Sequence, residues 1–228
     1  MSKLIQQPKF SNKKSSAHQS RRQFLKCVCV LPLSFALPTI VSAKPAKLSG
    51  VIHEISGDVY INKKLATPSS IIHAGDRLSV AYGGRLVFSM FEDTYLLQEG
   101  SSLELMSENN VVISGLRLLT GGLLSVFGAR QNTTKIYTRT ATIGIRGTGV
   151  YLNSQPEKLY FCTCYGKTDL DLGHRHIEHI DATHHHAVDV TGNTANTMKM
   201  TATQVIGHTD DELRLLERYS GRKPMFDL

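Results

Sequence analysis

Cysteine and histidine are concentrated in one short stretch near the end of this 228-residue chain. Cys162 and Cys164 are separated by a single residue, and a run rich in histidine follows them. The histidines of this run are His174, His176, His179, His184, His185 and His186. Thiolate and imidazole are the ligands of zinc, copper and iron in proteins. The pattern therefore indicates transition-metal binding without specifying which of these metals.

The spacing of the cysteines favours a shared metal over a bond between them. On a β-strand, Cys162 and Cys164 face the same side, with Cα atoms about 6.6 Å apart. That distance is near the upper limit for a disulfide, and parallel Cβ directions disfavour the bond further. If residues 182–190 pair with this strand, His184 and His186 project together, or His184 and His185 flank a bulge. The predicted ligands are Cys162, Cys164, His184, His185 and His186.

Other interpretations of these residues stay open. The two thiols can form a strained disulfide or an inert buried pair. His174, His176 and His179 can form a solvated loop that binds metal only opportunistically, and a histidine cluster can also serve as a pH sensor. Covalent haem is disfavoured because the chain lacks the C-x-x-C-H attachment motif.

The elements that must position these side chains are predicted to be strands. Between positions 51 and 190, short runs of β-forming residues alternate with Gly, Asn and Asp, and no helical period persists. Gly83-Gly84 indicates a hairpin-like break. Separate strands are predicted on either side of Gly121-Gly122 and of Gly166. The expected class is all-β, a sandwich, roll or short solenoid of antiparallel strands.

A short helix is predicted at the C-terminus. Thr209 and Glu212 have the spacing of a capping box, in which Thr is the N-cap and Glu lies three residues on. Leu213 and Leu216 give the helix an apolar face, and Gly221 ends it. The pattern predicts a helix that docks on the sheet, and a partner-binding helix is the alternative.

The first 43 residues read as an export signal. Ser20 to Lys26 fits the twin-arginine pattern S-R-R-x-F-L-K, an apolar segment follows, and Val41-Ser42-Ala43 offers a cleavage point. An uncleaved signal would instead be a membrane anchor. We expect a periplasmic protein, where free thiols require an explanation.

The charge distribution argues against a nucleic-acid partner. The formal net charge of the whole chain is +7, but seven of its 26 Lys and Arg lie in residues 1–43, which contain no Asp or Glu. Residues 44–228 therefore carry 19 basic and 19 acidic residues and no formal net charge. A basic binding surface on the folded part is unsupported.

Several motifs resemble the FecR-type domain, the periplasmic module of ferric-citrate regulators. These are Gly57-Asp58-Val59-Tyr60, His73 to Leu78, Leu118 to Leu124 with its central Gly-Gly, and Thr140 to Leu152 with the Arg146-Gly147-Thr148 hallmark. The resemblance implies a β-domain over residues 57–172, preceded by a lead-in strand at 44–56 and followed by a His-rich extension and helix at 173–228. The C-x-C-Y-G and Thr183-His184-His185 segments are similar to those of a subset of exported FecR-domain proteins.

The resemblance implies a binding or sensing module. Regulators of that family place an anti-sigma domain before a membrane helix, but only about twenty residues precede the twin arginines here, so reuse as a soluble module is expected. We predict a non-enzymatic protein with a structural or sensed metal. An envelope protein-interaction module with structural cysteines and no metal is the alternative, and a metal-dependent enzyme with an open coordination site is a third possibility.

Overall fold

The computed structural model describes residues 49–108, 112–130, 133–173, 176–192 and 197–228. The predicted signal at 1–43 and His174 lie outside the described residues. The strands are β1 (Ser49–Ser56), β2 (Val59–Ile61), β3 (Lys64–Leu65), β4 (Ile72–His73), β5 (Arg77–Val80), β6 (Arg85–Met90), β7 (Asp93–Leu97), β8 (Ser102–Glu108), β9 (Val112–Val126), β10 (Thr134–Tyr137), β11 (Thr142–Ile145), β12 (Gly149–Ser154), β13 (Lys158–Asp171), β14 (Ile177–Ala182), β15 (His186–Thr191) and β16 (Lys199–Ala202). Helix α1 (Asp210–Tyr219) and a 3-10 turn (Met225–Asp227) follow.

The strands form two hydrogen-bonded layers, which confirms the predicted all-β class with a short C-terminal helix. Sheet I has the order β16-β15-β13-β12-β9-β7-β6-β1, and sheet II has the order β14-β13-β11-β10-β9-β8-β5-β2-β3. The pairings are antiparallel except that of β10 with β9. Strand β4 pairs with the start of β1.

Two long strands, β9 and β13, belong to both sheets, and this corrects the predicted strand breaks. The N-terminal half of β9 lies in sheet II and its C-terminal half in sheet I, while β13 runs the opposite way. Gly121 and Gly166 stand at the crossings with φ of 83° and 85°, a conformation that glycine adopts without steric cost. The sequence predicts breaks at these glycines because a bend and a break have the same local sequence signal.

The Gly83-Gly84 turn also differs from the prediction. It joins β5 to β6, but β5 pairs with β2 and β8 in sheet II, and β6 pairs with β1 and β7 in sheet I. The turn therefore carries the chain from one sheet to the other and does not close a hairpin.

Side-chain alternation gives sheet I two buried faces. Phe88, Leu152 and Phe161 point inward and join residues of sheet II in the main core. Their sequence neighbours Tyr151 and Cys162 point outward, into a second apolar cluster. Sheet I thus needs a cover on its outer face.

Helix α1 provides that cover. Thr209 accepts a hydrogen bond from the backbone of Glu212, and the Glu212 side chain returns to the Thr209 backbone, so the predicted capping box is confirmed. Leu213 and Leu216 are buried in the outer cluster. Gly221, with φ of 70°, follows the C-cap. The helix therefore docks on the sheet.

Among the described residues, no helix has the length and apolarity needed to cross a membrane.

Candidate metal centre

The two cysteines lie on the outer face of sheet I, in the middle of β13. Cys162 is opposite Tyr151 of β12 and Ala187 of β15, so it is flanked by strands on both sides. Both thiols are free, and both cysteines are fully buried in the outer cluster. Strand alternation therefore places them on one face, as their spacing predicts.

The turn before β15 brings an imidazole over these thiols. The backbone N–H of His185 donates to the Cys164 carbonyl at 2.8 Å. His185 has φ of 46°, which is uncommon for a residue other than glycine and is held here by that backbone hydrogen bond. Its Nδ1 lies 3.6 Å from Cys162 Sγ.

A second imidazole comes from the segment that leads into α1. His208 directly precedes the N-cap residue and is buried. Its Nε2 lies 3.3 Å from Cys164 Sγ and 3.3 Å from His185 Nδ1. Its ring stacks on Tyr151 with centroids 4.7 Å apart. Gly207 allows this approach, because a Cβ at that position would lie 2.5 Å from the Tyr151 hydroxyl.

Hydrogen bonds on the far side of each ring fix which nitrogen faces the cysteines. His208 Nδ1 is 3.0 Å from the Ile206 carbonyl oxygen, to which it must donate. His185 Nε2 is 2.8 Å from Asp210 Oδ1, an ionised acceptor. A neutral imidazole that donates from one nitrogen presents a lone pair at the other. Two lone pairs and two thiols therefore face a common point, with carbonyl and carboxylate orienting groups typical of metal-binding histidines.

Three of the six distances between these four atoms are close to those of a tetrahedral zinc site. The ligand atoms of Cys162, Cys164, His185 and His208 all lie within 4.8 Å of one another. With Zn–N near 2.05 Å and Zn–S near 2.3 Å, a tetrahedron requires about 3.3 Å between nitrogens and about 3.6 Å between nitrogen and sulfur. The nitrogen separation is 3.3 Å, and two of the four nitrogen–sulfur distances are 3.3 and 3.6 Å.

The electrostatics of the pair prepare one thiolate. A hydrogen bond from Cys164 is the largest cause and, against the opposing effect of burial, the pKa of Cys162 is lowered to about 5. Burial and the neighbouring Cys162 thiolate raise the pKa of Cys164 well above its ordinary value. A bound cation would favour the second thiolate as well, because metal ligation requires deprotonated sulfur.

The remaining predicted ligands take different positions. His184 lies beside the centre, where its Nε2 contacts both oxygens of Asp210 at 3.0 and 3.1 Å. His186 is exposed and stands opposite Thr163, one position out of phase with the cysteines. His176 precedes β14 and pairs with Glu178. His179 lies within β14, opposite Asp169 of β13 with which it pairs, so the expected solvated loop is wrong at His179. Both imidazoles are exposed.

His208 is the member of this Cys/His group that sequence reasoning missed. It is 44 positions from Cys164, outside the His-rich run, and its approach depends on how α1 docks on sheet I. The available signal was its position, since Gly207-His208 immediately precedes a capping box. The position of a histidine next to a helix N-terminus is set by where the helix docks.

Comparisons with known proteins leave the family open. No family model matches the chain, and no curated protein matches it. Two crystal structures of a provisionally named anti-sigma factor from Parabacteroides distasonis align at 12% and 11% identity, each with a TM-score of 0.46. Each alignment covers 56% of this chain and 59% of that one. The FecR-type resemblance stays a prediction.

In metal-free, reduced protein carrying Cys27→Ser and Cys29→Ser, we expect the Cys162 thiol to ionise near pH 5. The ionisation is measured by the ultraviolet absorbance of the thiolate. An unfolded thiol ionises near pH 8.5, so the thiolate stabilises the fold fully above that pH and progressively less as the pH falls to about 5. Cys164→Ala should move the midpoint upward, because its hydrogen bond is the largest cause of the shift. A first ionisation step in the ordinary thiol range would contradict this assignment.

Proposed function

We propose that this chain is a non-enzymatic, metal-binding sensing module whose Cys162, Cys164, His185 and His208 hold one zinc ion. The observation that carries the proposal is the convergence of two thiols and two imidazole lone pairs at zinc-like separations. Each of these nitrogens lies close to a thiol, His185 Nδ1 to Cys162 and His208 Nε2 to Cys164. A metal ion at their common point would take all four atoms as ligands.

The surroundings of the centre favour a structural or regulatory metal. Four protein ligands complete a tetrahedral zinc shell, and structural zinc sites use this Cys₂His₂ set. Cys162, Cys164 and His208 are buried, and the side chain of His185 is only 12% exposed. The apolar cluster around the thiols, which includes Tyr160 and Leu213, keeps water away and, by lowering the local dielectric, strengthens the attraction between thiolate and cation.

The metal would fasten the C-terminal segment to the β-domain. Its ligands come from β13, from the turn before β15 and from the residue before α1, so one ion joins three parts of the chain. The helix has other contacts, including Arg85 to Glu212 at 2.9 Å and the buried pair of Tyr165 and Glu217. Metal occupancy would therefore control how firmly α1 covers sheet I, which is a means of reporting metal to an envelope partner.

Export to the periplasm is part of the proposal. It is supported by the Ser20-Arg21-Arg22-Gln23-Phe24-Leu25-Lys26 motif, which is the twin-arginine pattern at every position. This route carries folded proteins, so zinc can be bound before transport. Zinc ligation also protects the two thiols in an oxidising compartment.

Metal analysis of the full chain, purified under reducing conditions without a histidine tag, should give one zinc ion per chain. Cys162→Ser and His208→Ala should each lose it, because a three-ligand remnant binds structural zinc much more weakly. His186→Ala is the matched control, since it removes an adjacent, exposed imidazole and should keep the zinc. A metal-free protein with both thiols free would contradict the proposal and favour an interaction module with structural cysteines.

Removing the zinc should loosen α1. Hydrogen exchange of the amides of Asp210–Tyr219 should accelerate by about tenfold or more after chelation, because structural zinc contributes of the order of 10 kcal/mol in zinc-finger peptides and part of that would hold this helix. Strands β5 and β8, which belong to sheet II, serve as the internal reference and should keep their protection. Unchanged helix protection after complete zinc loss would show that the apolar contacts alone hold α1.

Replacing Arg21 and Arg22 together by lysine should abolish appearance of the chain in the periplasmic fraction, since the paired arginines are the signal itself. A Lys13→Arg, Lys14→Arg variant is the charge-matched control and should be exported normally. Equal export of both variants would contradict the twin-arginine assignment.

A further inference from the structure

A second ligand cluster lies on the solvent side of the zinc centre. His184 Nε2 and His185 Nε2 both approach the Asp210 carboxylate, at 3.0 and 2.8 Å from the same oxygen. The centroids of the two imidazole rings lie 4.4 Å apart, and one ligand atom from each of the three residues lies within 4.8 Å of the other two. Unlike the cysteines, these side chains reach solvent: His184 is 48% exposed and Asp210 is 34% exposed.

We propose that His184, His185 and Asp210 bind a second, exchangeable divalent ion of the kind that prefers nitrogen and oxygen ligands, with Ni²⁺ or Cu²⁺ as the best fit. His185 would then bridge the two ions, with Nδ1 toward the zinc and Nε2 toward the second ion. The bridge rests on the proposed zinc centre, because that ion is what holds Nδ1. The two sites share one imidazole and no other ligand.

The geometry of the cluster fits a tetragonal ion. Ligands about 2.0 Å from a metal and at about 90° to one another are about 2.8 Å apart, and tetragonal nitrogen and oxygen sites are typical of Cu²⁺ and Ni²⁺. The nitrogen–oxygen distances here are 2.8, 3.0 and 3.1 Å. Three protein ligands on an exposed surface leave coordination positions for water, so the second ion can exchange while the buried zinc stays.

Two further observations point to the same cluster. His185 lies at the turn before β15 with φ of 46°, and its two ring nitrogens face two different clusters. Asp210 occupies the first position of α1, next to the capping residue Thr209, where the helix dipole favours a carboxylate. The helix thereby holds a negative charge against two imidazoles.

Binding of the second ion displaces a proton from His185. With zinc on Nδ1, His185 carries its remaining proton on Nε2 and donates it to Asp210. Binding of the second ion at Nε2 replaces that proton, which leaves to the buffer. His184 needs no proton loss, because a neutral imidazole can move its proton to Nδ1. Asp210 binds as the carboxylate it already is, so one proton leaves per ion bound.

Equilibrium dialysis of the full, untagged, zinc-loaded chain against Ni²⁺ tests this inference, with zinc and nickel both measured in the retained protein. We expect one nickel ion with the zinc kept, and calorimetry in buffers of different ionisation enthalpy should find one proton released per nickel. His184→Ala should lose the nickel and keep the zinc. His186→Ala, and a His176→Ala, His179→Ala double variant, should keep both ions.

The outcomes separate the two proposals. Failure to find zinc at the start would overturn the zinc centre, whatever nickel does. The second site would be overturned if zinc is retained and no nickel binds. It would also be overturned if nickel persists in His184→Ala and disappears in the His176→Ala, His179→Ala variant. Either result would leave the zinc centre standing. Nickel bound in place of zinc would overturn the bridged pair, because the two ions would then compete for one centre.

Discussion

Strand β13 is the element on which both the fold and the candidate metal centre depend. It runs from the middle of sheet I into sheet II, with Gly166 at the bend, and so ties the two layers together. Its inward residues, such as Phe161, complete the main core, while Cys162 and Cys164 occupy the opposite face. Because β12 and β15 flank the strand on both sides, the sheet itself holds the two sulfur atoms in place. The imidazoles are added by less regular segments, a turn and a helix lead-in.

The C-terminal helix and the metal centre support each other. An outer sheet face that carries apolar side chains and two thiols cannot be left to solvent, since exposed apolar area and reactive sulfur are both unfavourable there. Helix α1 covers that face through Leu213 and Leu216, and the residue before its N-cap, His208, completes the Cys/His group. The helix therefore brings the fourth member of the group by docking, and a bound ion would in turn keep the helix in place.

The sequence predicted those features that depend on local chemistry. The capping box of Thr209 and Glu212, the all-β class and the common face of Cys162 and Cys164 each follow from residues close together in the chain. Gly121 and Gly166 misled the prediction because a positive-φ glycine serves equally well to end a strand and to bend one. The sequence does not predict the place of His208, because this residue is 44 positions from Cys164 and reaches it only through the docking of α1. It predicts His186 at the centre because strand alternation is extended through His185, where the chain turns.

The position of His185 gives the two ligand clusters different roles. Its Nδ1 faces the buried sulfur atoms, where dehydration and four protein ligands favour a tightly held ion. Its Nε2 faces Asp210 at the surface, where the pKa of the carboxyl, although raised by burial, is brought below its usual range by hydrogen bonds from His185 and His184. In the proposed arrangement, a change in what occupies the surface cluster would alter the electron donation of the same ring to the buried ion, since the second partner of a ligating imidazole tunes its basicity. One imidazole would thus link the solvent-exposed cluster to the ion proposed to hold α1, and through α1 to the outer face of sheet I.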